Sequence, residues 1–530
     1  MSAKNPLLQF SWLFVVILNS TDYSRLAAII ILPSKRYSRS SILKVNKGDK
    51  MKRPDIRFNV NSSNISNLFL RYLLVALLLS LTPAISASLA EEIPATKIVA
   101  EIKGQNPINY DNITISGEFN LKNQLIETPI QITNSIIPKS DLSHSIFTRL
   151  VNFRGSVFKD DIDFSNTEFQ DNLGFEDAII EKNASFYESV FSETNFLNAS
   201  FMSVADFDYA KFKDYCSFAD AYLKDAKFSE TEFGAACDFS GSIFEEMPRF
   251  PMASFNNIAN FRNTKFEKGA DFSAGAKFNE ITSFTSSKFG DDANFKLAKF
   301  KTLVHFGSAN FSEDARFDQA QFENIAYFVG ANFERNLSLI GSKIYNIRLE
   351  NTTFAKNSQI YLKEADFATF VTHWSHIKDY LKYDGAAYVK LVKSYKDLNW
   401  FSDADDCYYQ YRLQNQGLKP WSPEKVLDIL SYVTCGYGVR PKRPVYLSAL
   451  LIIISTTILF VGRGLRNPTS RDKTLSLYDN LYYCLAVFFT IPLPDLKPVG
   501  RYRYVAVFLR AISWVLFALL IATLGKVMIR

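Results

Sequence analysis

The chain has 530 residues, 47% of them hydrophobic, which leaves room for several domains. Its net charge of +6 hides an uneven distribution, since residues 151–355 contain 31 acidic and 20 basic side chains. Because affinity for nucleic acid comes from Lys and Arg, this acidic part argues against a nucleic-acid partner. Five cysteines in so long a chain exclude a disulfide-rich scaffold.

The first 90 residues have the features of a leader and a targeting segment. Residues 1–50 hold a short apolar run and a basic stretch without a periodic pattern, and we interpret them as an untranslated or disordered leader. Residues 51–90 have the layout of a secretory signal peptide, with MKRP at the start, an apolar run after Arg71 and small residues before Glu91. We expect translation to start at Met51 and the mature chain near Glu91, with an uncleaved signal anchor as the alternative.

Residues 91–150 are irregular, with β-like pieces such as NITISGEF and TPIQITNSII. We interpret them as the N-terminal cap of the repeat that follows. The end of a stacked array must cover an exposed sheet edge, so a departure from the repeat is expected there.

Residues 151–367 contain a repeat in which an aromatic or aliphatic residue returns every five or six positions, for a period of eleven. A small residue stands two places before most of the aromatics, as at Ala293 and Ala309. No helix or flat strand has this period, so both positions must face an interior that is built by stacking neighbouring units. The predicted core includes Phe284, Phe289, Phe295, Phe300, Phe306, Phe311, Phe317, Phe322, Phe328 and Phe333.

The stretch ANFSEDARFDQAQFENIAYFVGANF, from Ala309 to Phe333, resembles pentapeptide-repeat proteins. The resemblance implies a mainly β fold, a right-handed quadrilateral β-helix whose coils contain two elevens. About nine coils, stacked at roughly the 4.8 Å strand spacing, would make a rod about 40 Å long. Cys216 and Cys237 occupy the small-residue position about one coil apart. A disulfide between them is the alternative, but neighbouring side chains on a ladder point in parallel. We therefore interpret both as buried apolar thiols.

Residues 368–440 change period and predict a small helical connector. Three- and four-residue steps from Tyr380 to Leu398 indicate an amphipathic helix, and a second helix is expected from Ser402 to Gly417. Its acidic residues, Asp403, Asp405 and Asp406, suggest a metal site, but carboxylates are ordinary in a first helical turn. His373 and His376 would join them only if the chain folded back, and no spacing predicts that. We interpret TCGYG, residues 434–438, as a glycine turn that enters the membrane, despite its likeness to a potassium-channel filter.

Residues 441–530 predict two membrane helices with a pore-like loop between them. The apolar segments are residues 445–461 and about 504–524, and SLYDNLYYCLAVFFTIPLPDLKP lies between them. This order resembles the pore module of two-helix potassium channels. The resemblance aligns Thr490, Ile491, Pro492, Leu493, Pro494 and Asp495 with the filter. Because proline replaces glycine twice and fixes φ near −65°, we predict a degenerate pore loop that forms no ring of carbonyls.

Several functions are compatible with this organisation. We favour a membrane-anchored binding or scaffold protein that displays its solenoid outside the membrane, extracellular or periplasmic. It would bind an unknown protein or glycan, contact the lipid bilayer and form a homo-oligomer through the membrane helices. The alternatives are an ion channel capped or gated by the solenoid, and a soluble DNA mimic, which the apolar segments disfavour. We expect no enzyme activity, cofactor, metal or nucleic acid, because no phosphate loop or catalytic spacing occurs.

Overall fold

The computed structural model describes residues 91–467, 475–492 and 495–528. The expected leader and signal segment, residues 1–90, therefore lie outside the described residues. Within the described part, a long β-solenoid is followed by a helical connector and a group of apolar helices.

Every strand pairing in the solenoid is parallel and joins residues about one coil apart. One row runs from Ile108 through Ile130 and Val151 and continues to Phe370 in about 13 turns. The sequence repeat accounts for about nine of these turns, and the others lie on both sides of it. Residues 91–150 make the same pairings, beginning with Glu91 against Ile113.

The strands are short because each side of a coil is only a few residues wide. The longer ones are Glu91–Pro94, Ile108–Asp111, Ile113–Ser116, Ile130–Thr133, Ser200–Asp206, Tyr222–Lys227, Gln321–Tyr327, Lys343–Arg348 and Asp366–Val371.

The two-residue strands of the solenoid belong to three sheets. The first sheet contains Phe119–Asn120, Ile136–Ile137, Ser140–Asp141, Val157–Phe158, Ile162–Asp163, Ile179–Ile180, Ala184–Ser185, Ile243–Phe244, Lys265–Phe266, Lys288–Phe289, Asn310–Phe311, Asn332–Phe333 and Thr353–Phe354. The second contains Leu125–Ile126, Ile146–Phe147, Val151–Asn152, Glu168–Phe169, Leu173–Gly174, Val190–Phe191, Thr194–Asn195, Lys211–Phe212, Cys216–Ser217, Glu232–Phe233, Cys237–Asp238, Ser254–Phe255, Ala259–Asn260, Lys277–Phe278, Thr282–Ser283, Lys299–Phe300 and Val304–His305. The third contains Ala270–Asp271, Ala293–Asn294, Ala315–Arg316, Leu337–Ser338 and Ile360–Tyr361.

The interior is a ladder of phenylalanine rings. All ten phenylalanines named above are at most 2% exposed, and Ala293 and Ala309 are fully buried. Rings one coil apart stack with nearly parallel planes, as for Phe186 and Phe207, whose centroids are 4.7 Å apart and whose planes differ by 1°. Rings half a coil apart meet edge to face, as for Phe207 and Phe218 at 5.4 Å. Both arrangements are favourable for aromatic quadrupoles, so burial and ring geometry stabilise the same coil.

One turn per half coil produces the period of eleven. Asp177, for example, has a φ of +59°, and the Ala178 amide donates to the Phe175 carbonyl at 3.0 Å. This is the geometry of a type II turn, whose third position requires positive φ. Asn and Asp tolerate that conformation best among side-chain-bearing residues, which explains their recurrence two places after the phenylalanine.

The helices, in chain order, are α1 (Ala95–Lys103), α2 (Trp374–Ile377), α3 (Gly385–Asp397), α4 (Phe401–Leu418), α5 (Pro423–Cys435), α6 (Lys442–Val461), α7 (Leu477–Phe488) and α8 (Tyr502–Met528). Helix α1 packs on the first coils, and its Ile98 and Ile102 join the solenoid core. One continuous core extends from Ile93 to Cys407, and a second, separate core joins α6, α7 and α8.

The connector departs from the sequence prediction at its first helix. The expected helix from Tyr380 begins only at Gly385, with the Asp384 side chain accepting a hydrogen bond from the Ala387 amide at 2.9 Å. Before that point the backbone adds to the last coil, because the Ile360 amide donates to the Tyr380 carbonyl at 2.8 Å and the Lys382 amide donates to the Ile360 carbonyl at 3.0 Å. The backbone groups of the terminal coil thus take priority over helical periodicity.

Candidate functional site

The solenoid is joined firmly to the connector. The Phe370 amide donates to Ser394 Oγ of α3 at 2.8 Å, and Lys390 Nζ lies 2.9 Å from Asp366 Oδ1. Tyr388 and Tyr395 of α3 are buried against the end of the rod. Burial raises the pKa of Tyr388 to about 12. The last coil is therefore covered by helices rather than left as an open sheet edge.

Asp403, at the start of α4, contacts the residues at the start of α2, about 30 positions earlier in the chain. Asp403 accepts a hydrogen bond from the Trp374 amide at 2.8 Å, and its other carboxylate oxygen lies 3.1 Å from His373 Nδ1. The His373 ring stacks on Trp400 at 4.5 Å. Sequence spacing did not predict this return of the chain. Among the described residues, no group of His, Cys, Asp and Glu is arranged to hold a metal ion.

Arginines and tyrosines connect α4 with the start of α6. Arg440 pairs with Asp406 of α4 at 2.5 Å and lies over the Tyr409 ring at 4.8 Å. Arg443 donates to Tyr409 Oη at 2.8 Å and lies over the Tyr432 ring at 4.6 Å. These cation–π contacts and hydrogen bonds suit guanidinium groups and hold the start of α6 against α4.

A carboxylate on the inner side of α5 is held by two cations. Asp428 is 8% exposed, and its oxygens lie 2.6 Å from Lys419 Nζ and 2.7 Å from an Arg412 nitrogen. The hydrogen bond from Lys419 is the largest effect that lowers the pKa of Asp428. The two ion pairs hold the Asp428 side of α5 against α4 and the residue that follows it.

The TCGYG stretch forms a turn between α5 and α6. Thr434 and Cys435 end α5, and Gly436, Tyr437 and Gly438 all have positive φ, at +55°, +58° and +78°. Tyr437 Oη donates to Gln416 Oε1 at 2.5 Å and so fastens the turn to α4.

Helices α6 and α8 are long and apolar enough to cross a membrane. Their mean hydropathies are 2.2 and 2.4, and most of their residues are not covered by the rest of the chain. A rise of about 1.5 Å per residue gives the 20 residues of α6 a length of about 30 Å, the thickness of a hydrocarbon core. The two run in opposite directions, since Gly462 and Gly464 at the end of α6 pack on Tyr502 at the start of α8.

Helix α7 packs between them and is too short to cross. It begins with a capping box, in which the Asp479 amide donates to Ser476 Oγ at 3.2 Å and the Ser476 amide donates to Asp479 Oδ2 at 2.9 Å. Its buried face includes Tyr483, Cys484 and Val487, and Phe488 meets Phe517 of α8 with centroids 5.6 Å apart. Its end therefore lies beside the middle of α8.

The pore-like residues follow α7 directly. Thr490 has a φ of +55°, its amide lies 3.4 Å from the Val487 carbonyl, and the Ile491 amide donates to the Ala486 carbonyl at 3.0 Å. These two contacts make a Schellman cap in which Thr490 takes the position usually given to glycine. Thr490, Ile491, Pro492 and Asp495 are exposed, whereas Leu493 and Pro494 lie outside the described residues.

The chain then returns beside the end of α6. Leu465–Arg466 pairs with Lys497–Pro498 in a short antiparallel ladder. The ends of α6 and of the pore-like loop are thereby tied together.

The solenoid itself offers an apolar edge, made by Tyr215, Ala236, Ile258, Ile281 and Leu303. Each directly precedes a strand of the same row, and successive members are linked by backbone hydrogen bonds, as from the Cys237 amide to the Ile258 carbonyl at 3.0 Å. Tyr215, Ile258 and Ile281 are 41–48% exposed. The sequence analysis did not predict this edge, because the repeat pattern reports the inward-facing positions and these residues face outward.

Three positions half a coil away, towards the C-terminal end of the rod, are polar. Asp292, Asp314 and Asn336 form a hydrogen-bonded ladder, in which Asn336 Nδ2 donates to Asp314 Oδ1 at 3.0 Å. The rod therefore has two chemically different edges.

Cys216 and Cys237 face each other across adjacent coils at the root of the apolar edge. Both are free thiols, as are the other three cysteines. Burial raises the pKa of Cys216 well above its ordinary value, which suits an inert apolar thiol.

A family model for pentapeptide repeats, in nine copies, matches residues 142–190, 228–274 and 295–343. The chain carries a pentapeptide-repeat β-solenoid. The matched residues lie within the phenylalanine ladder, so the repeat and the observed coil describe the same element. Pentapeptide-repeat β-solenoid proteins are generally not enzymes. No curated protein matches the chain significantly.

Proposed function

We propose that this chain is a membrane-anchored scaffold, which displays its solenoid outside the membrane and binds a partner protein along the apolar edge. The observation that carries the proposal is the continuous set of packing and side-chain contacts that connects the solenoid, through the connector, to the apolar helices. One core runs from Ile93 to Cys407, and Arg440 and Arg443 then fasten α4 to α6.

A protein partner suits the apolar edge better than a glycan does. Tyr215, Ile258 and Ile281 lie along three coil spacings, a length of roughly 14 Å at the strand separation. Exposed apolar rows of this kind favour contact with other apolar surfaces.

The charges of the loop between α6 and α8 support this orientation. Residues 463–503 contain seven Lys and Arg residues against three Asp, whereas only Arg440, Lys442 and Arg443 mark the entry to α6. The positive-inside tendency favours the loop in the cytoplasm and the solenoid on the other side.

Photo-crosslinking in intact cells tests the binding edge. A photoreactive residue at Ile258 or Ile281 should give an adduct of defined mass, because these side chains would be buried against the partner. The matched control is the same residue at Asn336 on the polar edge, which should give none. Equal adducts at all three positions, or adducts that contain only copies of this chain, would count against the proposal.

A second candidate, ion conduction, is favoured by the position of α7, which ends beside the middle of α8. A path for ions would need several copies of this two-helix module around one axis. We expect no potassium selectivity, because Pro492 and Pro494 lack the dihedral freedom of filter glycines.

Recording from purified protein in a planar bilayer tests this second candidate. The expected result is no potassium-over-sodium selective current. Selective single-channel currents that disappear in Thr490→Ala would show that the proline argument fails.

A further inference from the structure

Helix α5 carries an unpartnered apolar face immediately before the first membrane helix. Val426, Leu427, Leu430 and Val433 are 45–65% exposed. At 100° per residue they share about a third of the helix circumference. Among the residues that the structure describes, about half of the surface of these four side chains stays uncovered.

The opposite side of α5 is held by the protein. Asp428 is clamped by Arg412 and Lys419, and Tyr432 contacts Tyr409 with ring centroids 6.1 Å apart. The helix is therefore not simply detached from the connector. Its polar side is fixed inward, so its apolar side must face outward.

The end of α4 and the short segment that leads into α5 have residues typical of a membrane interface. Trp421 is 79% exposed and Leu418 is 72% exposed. Lys425 Nζ lies 5.4 Å from the Trp421 ring centre and donates to the Lys419 carbonyl at 2.6 Å. Trp and Lys together are typical of the headgroup level, where an indole ring and an ammonium group both find polar and apolar surroundings.

We propose that α5 is an interfacial helix, which lies in the bilayer surface with Leu427 and Leu430 among the upper acyl chains. The occupant of the apolar face is thus the lipid bilayer itself. Helix α5 lies close to the proposed membrane helix along the chain, because only six residues separate the end of α5 at Cys435 from the start of α6 at Lys442. Amphipathic helices of this kind bury one face about 5–10 Å into the boundary between headgroups and acyl chains.

The consequence is that the base of the connector sits directly on the membrane. The ion pairs of Asp428 and the stacking of Arg443 then link lipid contact to the orientation of α4. This inference rests on the proposed membrane insertion of α6 and α8, and its test is designed to separate the two.

Spin labels on introduced cysteines can measure lipid exposure in the full chain. Since all five native cysteines are buried, the label goes to the introduced site. The variants are L427C and L430C on the apolar face, E424C on the neighbouring polar face and I453C on α6, where Ile453 is 60% exposed. L297C on the solenoid gives the value for water. Proteoliposomes of phosphatidylcholine and phosphatidylglycerol are probed with oxygen, which concentrates in lipid, and with a water-soluble nickel chelate.

We expect the oxygen-to-chelate accessibility ratio at positions 427 and 430 to exceed that at position 424 several-fold and to approach that at position 453. Ratios at 427 and 430 equal to that at 297 would overturn the inference while leaving the membrane anchor intact. Low access to both probes at 427 and 430 would mean that another copy of the chain covers the face, which would also overturn it. A water-like ratio at 453 would instead contradict membrane insertion itself.

Discussion

Each interior phenylalanine is stabilised by neighbours in the coils above and below. The Phe311 ring stacks on Phe289 and Phe333, with centroids 5.0 Å away on both sides, and is completely buried. Glu313, two residues later, is 41% exposed and pairs with Arg335 at 3.1 Å. The two positions thus differ in burial although they are neighbours in sequence.

Replacing Phe311 by Ala should lower the free energy of unfolding by about 3–5 kcal/mol, because it leaves a cavity in a stacked ladder. Glu313→Ala should change it by about 0.5 kcal/mol or less, since exposed ion pairs contribute little. Chemical unfolding of the purified chain, followed by circular dichroism, measures both. Equal losses for the two variants would show that the facing assignment is wrong.

Buried tyrosines should make the connector sensitive to alkali. An unfolded tyrosine ionises near pH 10, whereas burial raises the pKa of Tyr388 to about 12. The neutral form is favoured in the folded state, so stability should be complete below about pH 10 and fall as pH rises towards about 12. In Tyr388→Phe this alkaline loss should be smaller, as thermal unfolding over a pH series would measure. An unchanged pH dependence in the variant would contradict the assignment.

At the scale of elements, α7 ends in an unfavourable conformation. Thr490 is β-branched and has a φ of +55°, a region that costs a residue with a Cβ about 1–2 kcal/mol. The Schellman hydrogen bonds to Val487 and Ala486 hold it there.

Thr490→Gly should therefore raise the free energy of unfolding of the group formed by α6, α7 and α8 by about 1 kcal/mol. Thermal unfolding in detergent, with Thr490→Ala as a control that retains the Cβ, measures the gain. Destabilisation by glycine would show that the threonine side chain makes a contact that outweighs the strain.

The inward-facing positions of the repeat could be predicted from the sequence. The bounds and contacts of the connector helices could be predicted less well. A period of eleven with alternating steps of five and six indicates the inward ladder, because burial dictates which residue type recurs. The start of α3 at Gly385 was not predictable, since it depends on the terminal coil recruiting Tyr380 and Lys382 through Ile360. The contact of His373 with Asp403 joins residues 30 positions apart and leaves no periodic signal. Periodic sequence patterns therefore predict which residues are buried within an element. They do not predict contacts between residues that are far apart in the sequence.

Considered as a whole, the molecule joins an acidic solenoid to a C-terminal part that is basic and contains the apolar helices α6 and α8. The start of α6 and the end of α8 are at the same end of the group formed by α6, α7 and α8, because Lys526 of α8 lies 5.0 Å from the Tyr408 ring of α4. The loop of residues 463–503 is at the other end, where Gly464 packs on Tyr502. In the proposed membrane-anchored arrangement, α6 and α8 would therefore place the solenoid and the end of α8 on one side of the bilayer.

Accessibility to a membrane-impermeant thiol reagent in intact cells tests the anchored-scaffold account most directly. The introduced cysteines are L297C on the solenoid, a cysteine after Arg530 and Y478C at the start of α7, where Tyr478 is 80% exposed. The account predicts that the first two react in intact cells and that Y478C reacts only after the cells are opened. Reaction of all three before opening would contradict the two crossings, and reaction of Y478C alone would contradict the exported solenoid.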